Sequence, residues 1–319
     1  MDEVTRRMLE KIHQPGLFDA LVKQLSASEL NTVLLDVFNQ RVAGLDAAAL
    51  LQKYMLNRFV KPAAVDVIRL KEEELQILRL LQKEGFEPLE LSPVTQLGAC
   101  AVVAAVNQKK VISALRNTEV LSDPTNAMAL LYTEGKKSGG LPAQTYRYCA
   151  ITRTVRAQAL DNPAFAPHFA VCALATMTCA GAGYIVETTA LCEHVMAQEA
   201  ILRQVFGLNS IRVHLLPQKG HGANHALVGT AMELLQRSRP AIAVTVRERD
   251  ETKNYYTGIQ FKLIADLQGE PFEIGDGGLV DWTQQLLSDK SQRMFISGLG
   301  TQVLHQLGAN NRLSFPHNP

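Results

Sequence analysis

Apolar residues in the first part of the chain recur at helical spacing. Ser26-Ala27-Ser28-Glu29 has the form of a capping box, and Leu30, Val33, Leu34, Val37 and Phe38 then follow the helical period as far as Gly44. Asp46 is placed to cap the next helix, AAALLQKYMLNRFV, which Pro62 ends because proline disfavours a helical conformation in the residue before it. From Val65 to Glu84 a longer helix turns Leu70, Leu75, Ile77, Leu78 and Leu81 inward and Lys71, Glu72 and Glu73 outward, and Gly85 stops it. Phe86 to Ser92 then alternates, with Pro93 closing the run as on an edge strand.

Beyond Pro93 the spacing turns β-like. Short strands are expected at Ala101–Val106 and Lys110–Leu115, a turn at Ser122-Asp123-Pro124-Thr125, and a loop over 135–143. A strand pair follows at Tyr146–Arg153 and His168–Met177, its long connection turning at Asp161-Asn162-Pro163, and then a helix at Glu187–Phe206. In the last third, strands at Ala241–Val246, Tyr255–Ile264 and Phe295–Ser297 accompany a helical stretch at Leu279–Leu287. Runs of strands flanked by helices, without a regular βαβ alternation, predict an α+β protein built on a mostly antiparallel sheet.

Composition narrows the class. The chain has 319 residues, 47% of them hydrophobic and 20% charged, with a formal net charge of +1. That balance excludes an intrinsically disordered chain and gives no global field to hold a polyanion. The N-terminus has no signal-peptide pattern, no apolar run is long enough to span a bilayer, and the five cysteines show no CxxC spacing, so the expectation is a reduced cytoplasmic protein.

Candidate chemistry gathers in a few segments. Tyr146-Arg147-Tyr148, Arg153, Arg156 and His168 put guanidinium groups on paired strands, which suits a phosphate or carboxylate as well as a solvated strand face. Asn254-Tyr255-Tyr256-Thr257-Gly258 holds two adjacent tyrosines that on a strand point to opposite faces, one to the core and one to a cavity. Gly275-Asp276-Gly277-Gly278 reads as a tight turn feeding a helix that begins near Asp281, and Ser297-Gly298-Leu299-Gly300 exposes backbone on which a flat ligand fits. His214, His221 and His225 offer a weak metal reading, since His221 and His225 are four apart but lie among glycines with no third ligand; the expectation is no metal.

Taken in order, these segments resemble the catalytic core of the class II aminoacyl-tRNA synthetases. The similarity is greatest to histidyl-tRNA synthetase and to the regulatory subunit of ATP phosphoribosyltransferase, and it spans roughly Val65–Leu304. GFEPLELSP resembles the first, dimer-forming motif; TYRYCAITRTVRAQ through HFAVCAL resembles the second, with Arg147 at the arginine that grips the ATP α-phosphate; NYYTGIQFKL resembles the paired-tyrosine segment, GDGGLVDW the glycine-rich turn and GLGTQVL the third motif. The sequence also departs from the pattern. Val303 stands at the third motif's arginine, Cys149 at the second motif's glutamate, and Asn254 and Glu251 replace an aspartate and an arginine. Losing a phosphate-gripping guanidinium removes transition-state stabilisation commonly worth ~3 kcal/mol.

The resemblance therefore implies a core over 65–319 preceded by a helical extension over 1–64, with no anticodon-binding domain and tRNA not a substrate. The first reading is a paralogue, homodimeric through the first motif, that binds an amino acid, nucleotide or related metabolite and reports it to a protein partner. The ligand-binding residues expected for it are Arg116, Arg147, Arg156, Tyr255, Tyr256, Gly258, Asp276, Gly277, Gly278, Gly298 and Gly300, with ATP and Mg as the implied cofactor. The alternative is an enzyme that activates a carboxylate with ATP for a non-tRNA acceptor, with His168 or Cys149 joining the chemistry.

Overall fold

The computed structural model describes residues 1–158, 166–218, 220–222, 225–248, 255–267 and 270–310. The N-terminal segment folds as α1 (Glu3–Lys11), α2 (Leu17–Asp19) running into a π-helical turn, α3 (Ala27–Ala43) and α4 (Ala47–Leu56). Local chemistry sets these ends. Ser26 and Glu29 form the reciprocal capping box, and Asp46 accepts from the Ala49 N–H at the start of α4. None of these helices contains a buried residue.

α5 (Val67–Lys83) carries Leu70, Ile77, Leu80 and Leu81 into the core and leads to β1 (Glu87–Pro88). Two positions in α5 reverse the sequence expectation: Leu75 faces solvent, whereas Glu73 is buried. Glu73 is drawn inward because it accepts from Arg69 Nε at 2.8 Å and meets His305 Nδ1 at 2.8 Å. A buried carboxylate is retained where partners satisfy it.

A small sheet, ordered β2-β4-β3, follows from β2 (Val94–Gln96), β3 (Ser113–Ala114) and β4 (Thr118–Val120). The strands expected across 101–106 and 110–115 are largely replaced by a π-helical turn at Ala99–Val103 and a 3₁₀ turn at Gln108–Lys110. Fully buried Glu119 supplies the reason, since its carboxylate accepts from Gly98 N, Cys100 N and Gln108 Nε2 at 2.8–3.0 Å and gathers the segment around itself. α6 (Pro124–Lys137) takes over the first three residues of the expected 135–143 loop. Asp123 caps it and Pro124 sits at its first position, so the expected turn is a helix start.

The main sheet has eight strands in the order β1-β5-β6-β11-β10-β9-β7-β8. Its remaining members are β5 (Tyr146–Val155), β6 (His168–Cys179), β7 (Ile211–Pro217), β8 (Ala243–Val246), β9 (Thr257–Leu267), β10 (Glu270–Val280) and β11 (Gln292–Leu299). Among the described residues only the two end pairs, β1 with β5 and β7 with β8, are parallel, so the mostly antiparallel α+β architecture read from the sequence is what the chain adopts. α7 (Ile185–Gln204) and α8 (Ala226–Ser238) cover one face and α6 with α9 (Trp282–Leu287) part of the other, while α10 (Thr301–Asn310) packs on α5 and β6. The sequence expectations leave out β7 and α8, although Ile211, Val213 and Leu215 alternate with Arg212 and His214 as in a strand. Among the described residues no helix is long and apolar enough to cross a membrane.

Candidate functional site

Side chains alternate across a strand, and on β5 that alternation separates structure from site. Tyr146, Tyr148 and Ala150 pack with α6, whereas Cys149 joins the core beneath α7. Arg147 shares the latter parity. Its Nε and Nη2 donate to Glu193 of α7 at 2.8 and 2.7 Å, a bidentate pair that holds its charge even more firmly. Arg147 is thus turned away from the open side of the sheet.

On that open side, beyond α6, lies a cavity of about 700 Å³, a size suited to a small molecule. β6 supplies Val171 and Ala173, β11 Ile296 and Gly298, β10 Asp276, and β9 Gln260 and Lys262; the segment from Cys100 to Thr125 forms the facing wall. Of the sequence candidates, the fold brings Arg156, Tyr255, Tyr256, Asp276 and Gly298 to this cavity. Arg147, Arg116, Gly258, Gly277, Gly278 and Gly300 do not line it. Arg116 occupies the β3–β4 turn at φ 66°, where its N–H donates to Asn31 Oδ1 at 2.6 Å. Gly300 links β11 to α10, and Val303 stands in α10. Glu251, Asn254 and the Asp161-Asn162-Pro163 turn lie outside the described residues.

Two expectations about shape are corrected. Gly275–Gly278 is the middle of β10, not a turn, and none of its glycines has positive φ. Glycine is required there by close approach. A Cβ on Gly277 would lie 2.5 Å from the Ile296 carbonyl oxygen, and one on Gly278 2.7 Å from the Tyr256 ring. The tyrosines precede β9 rather than sitting within it, and instead of diverging they both face the cavity with ring centroids 4.9 Å apart.

Each tyrosine reaches a carboxylate. Tyr255 Oη donates to Asp123 Oδ2 at 2.5 Å while Asp123 Oδ1 caps α6 through Thr125 N at 3.0 Å, so one side chain starts a helix and holds a site residue. Tyr256 Oη donates to Asp276 Oδ2 at 3.0 Å, with Gln260 Nε2 at 3.4 Å. Burial, then the neighbouring carboxylates, holds both phenols well above their ordinary pKa. Burial also raises Asp276, with the Tyr256 hydrogen bond opposing it. An under-solvated carboxylate of this kind favours an approaching cation.

The cavity's positive groups are placed differently. Lys262 Nζ pairs with Glu273 at 2.7 Å. Ala157 N donates to the Lys110 carbonyl at 2.9 Å, which sets Lys110 beside Arg156, whose guanidinium stacks 5.2 Å from the Phe169 ring. The acidic groups Asp123, Glu248, Glu273 and Asp276 thus share the lining with Lys110, Arg156 and Lys262. Asp123, Gln260, Lys110, Glu248, Lys262 and Glu273 were not singled out from the sequence; only Asp123-Pro124 carried a local signal, that of a helix N-terminus.

The nucleophile candidates are inert where they sit. Cys149 is fully buried on the α7 side and its thiol is pushed up to about 12 by burial, so it takes no part in cavity chemistry. Cys100 lines the cavity between Ser122 Oγ and Asn126 Nδ2, each 3.0 Å from Sγ, but burial raises it to about 11 and keeps it a neutral thiol near pH 7. His168 lies outside the lining, its Nε2 2.6 Å from the Lys61 carbonyl and its Nδ1 3.0 Å from Arg153. The His221 and His225 rings meet tilted at 59° with centroids 4.3 Å apart, and His225 serves as the N-cap of α8, so they do not share a helical face.

No protein-family model matches the sequence, and a search of curated proteins returns no match. Solved structures do match. An ATP phosphoribosyltransferase regulatory subunit/histidyl-tRNA synthetase from Bacillus halodurans is similar with a TM-score of 0.59 at 16% identity, over 78% of this chain and 83% of that one. Apo histidyl-tRNA synthetase from S. aureus gives 0.61 at 15%, over 81% and 71%. A histidine–tRNA ligase subunit from Alicyclobacillus acidocaldarius gives 0.58 at 13%, over 81% and 98%. At these identities the likeness is one of architecture: the chain has the class II aminoacyl-tRNA synthetase-like fold, in the form seen in histidyl-tRNA synthetase-like proteins.

Proposed function

We propose that this chain is a synthetase-like paralogue whose cavity binds a small zwitterionic metabolite of the amino-acid class and that its role is regulatory. The observation that carries the reading is the division of charge in the lining. Asp276 and Asp123, each held by a tyrosine, offer a cation-seeking wall. Lys110 and Arg156 line the same cavity and offer it cationic groups for a carboxylate, Arg156 as a planar fork. A ligand bearing an ammonium and a carboxylate satisfies both.

ATP with Mg is the second reading, favoured by the same Lys110–Arg156 neighbourhood, which would hold phosphate oxygens. It is weaker because four acidic side chains share the lining with three basic ones, an unfavourable field for a polyphosphate. The likeness of fold to an ATP phosphoribosyltransferase regulatory subunit/histidyl-tRNA synthetase is compatible with action through a protein partner and with carboxylate activation alike.

Isothermal titration against the twenty amino acids, with and without ATP and Mg, tests the reading. Binding of one amino acid, weakened at least tenfold by Asp276→Asn and by Arg156→Ala but unchanged by Arg147→Ala, is the expected result. Nucleotide binding alone, or an equal loss with Arg147→Ala, overturns it. ATP–pyrophosphate exchange dependent on that amino acid would instead establish the carboxylate-activating alternative.

A further inference from the structure

The N-terminal segment contributes no residue to the core on either face of the main sheet, and its polar ties to the rest of the chain gather beside residues that line the cavity. On one side, Arg58 Nη2 donates to the carbonyls of Ala157 and Gln158 at 3.1 and 2.9 Å, and His168 Nε2 donates to the Lys61 carbonyl at 2.6 Å. Gln158 itself lines the cavity, and Arg156 lies two residues before it. On the facing wall, Asp2 pairs with Lys109, the neighbour of Lys110. Asn31 Oδ1 accepts from Arg116 N and Asn31 Nδ2 donates to Asn117 Oδ1, both at 2.6 Å.

Both contacts fall where support is needed. Arg116 and Asn117 hold φ of 66° and 56°, left-handed at two successive residues that are not glycine, and their turn leads to Glu119, which gathers Gly98, Cys100 and Gln108 into the wall. Ala157 accepts from Arg58 through its carbonyl and donates to the Lys110 carbonyl through its N–H at 2.9 Å, so one residue joins the segment, the facing wall and the end of the strand that leads to Arg156.

We infer that the N-terminal segment straps the two sides of the cavity together, with Arg58 and Asn31 as positioning residues for Lys110 and Arg156. The inference rests on the proposed ligand in one respect, that its carboxylate engages both cations. Such a ligand holds the same two walls that the segment holds. Binding and docking therefore favour each other, and by the same factor, because a coupling free energy is reciprocal.

Two readouts on the full chain with Cys179→Ser, which removes the exposed thiol, test the strap. In the first, without ligand, iodoacetamide labelling is followed by mass spectrometry at Cys100, which lines the cavity, and at Cys149, buried beneath α7. Arg58→Ala and Asn31→Ala are each expected to raise the Cys100 rate about fivefold and to leave Cys149 unchanged, since the wall opens locally. An unchanged Cys100 rate, or an equal rise at both thiols, overturns the strap. In the second, the twenty amino acids are titrated singly. The one that binds the wild type is expected to bind Arg58→Ala about fivefold more weakly, to regain affinity in Arg58→Lys, whose ammonium also donates to two carbonyls, and to slow amide exchange across 58–61. Equal affinity for Arg58→Ala overturns the strap and leaves the cavity reading standing. Binding of no amino acid overturns the cavity reading, and the Cys100 rate then decides the strap alone.

Discussion

The two faces of the main sheet are built from the same strands and come out opposite in character. Beneath α7 and α8 the face is filled: Phe261 and Phe295 stack with centroids 6.1 Å apart, and His194 lies between Phe86 and Phe295. On the other face α6 and α9 cover only part, and the remainder is the polar cavity. A strand residue's function therefore follows its parity. Arg147 within β5 belongs to a structural ion pair, whereas Arg156, just past the end of that strand, belongs to the cavity.

The largest test of that contrast is on the filled face. Phe295→Ala should cost about 3–5 kcal/mol in denaturant unfolding, because Phe295 is almost fully buried and its loss leaves a void against Phe261. A loss under 1 kcal/mol would mean that this face is less tightly packed than described.

A loss of a few kcal/mol should also appear with pH. His194 is buried, its Nε2 and Nδ1 bonded to Thr176 and Ser297, and burial followed by the Arg147 charge depresses its pKa from 6.5 to about 3. The unfolded chain takes up the proton first, so His194's contribution is complete above pH 6.5 and is lost as pH falls from there towards 3. Stability curves from pH 7 to 4 should show this slope, and His194→Gln should flatten it.

At the boundary between the faces, Gly278→Ala is expected to cost about 1–3 kcal/mol and to displace Tyr256, since the added methyl meets the ring at 2.7 Å and the Ile259 carbonyl at 2.8 Å. Retained stability with lost ligand binding would sharpen the assignment of Tyr256 to the cavity.

The smallest effects differ in sign between the faces. Arg147→Ala breaks a pair whose side chains are about 30% exposed and should cost ~0.5 kcal/mol after solvent screening. Asp276→Asn should stabilise the protein slightly at pH 7 while weakening the ligand. Asp276's folded pKa is raised, so its contribution, present below pH 3.8, is lost as pH rises, and the amide removes that cost. Destabilisation by Asp276→Asn would show that the carboxylate serves the fold.

Local signals carried much of the architecture. The Ser26–Glu29 capping box, the α5 period and the β5–β6 alternation each concern neighbours a few residues apart, and each element formed within two or three residues of its expected bounds. The site was harder to read. Tyr255 and Tyr256 were visible as a pair, but their partners Asp123 and Asp276 lie far off in sequence and differ in local setting, one a helix cap and one mid-strand. Arg147 stands out both as an arginine on a paired strand and by its motif position, and neither fixes the face it points to.

The sequence by itself determined where helices start, that the sheet is mostly antiparallel and which fold the segments resemble, because capping, periodicity and segment order are local or ordinal properties. Only the tertiary structure decided that Glu73 is buried, that Gly277 and Gly278 mark close packing rather than a turn, and which arginine meets the cavity. Those outcomes depend on strand register and on contacts between residues distant in sequence, and a one-residue change of register would exchange the two faces.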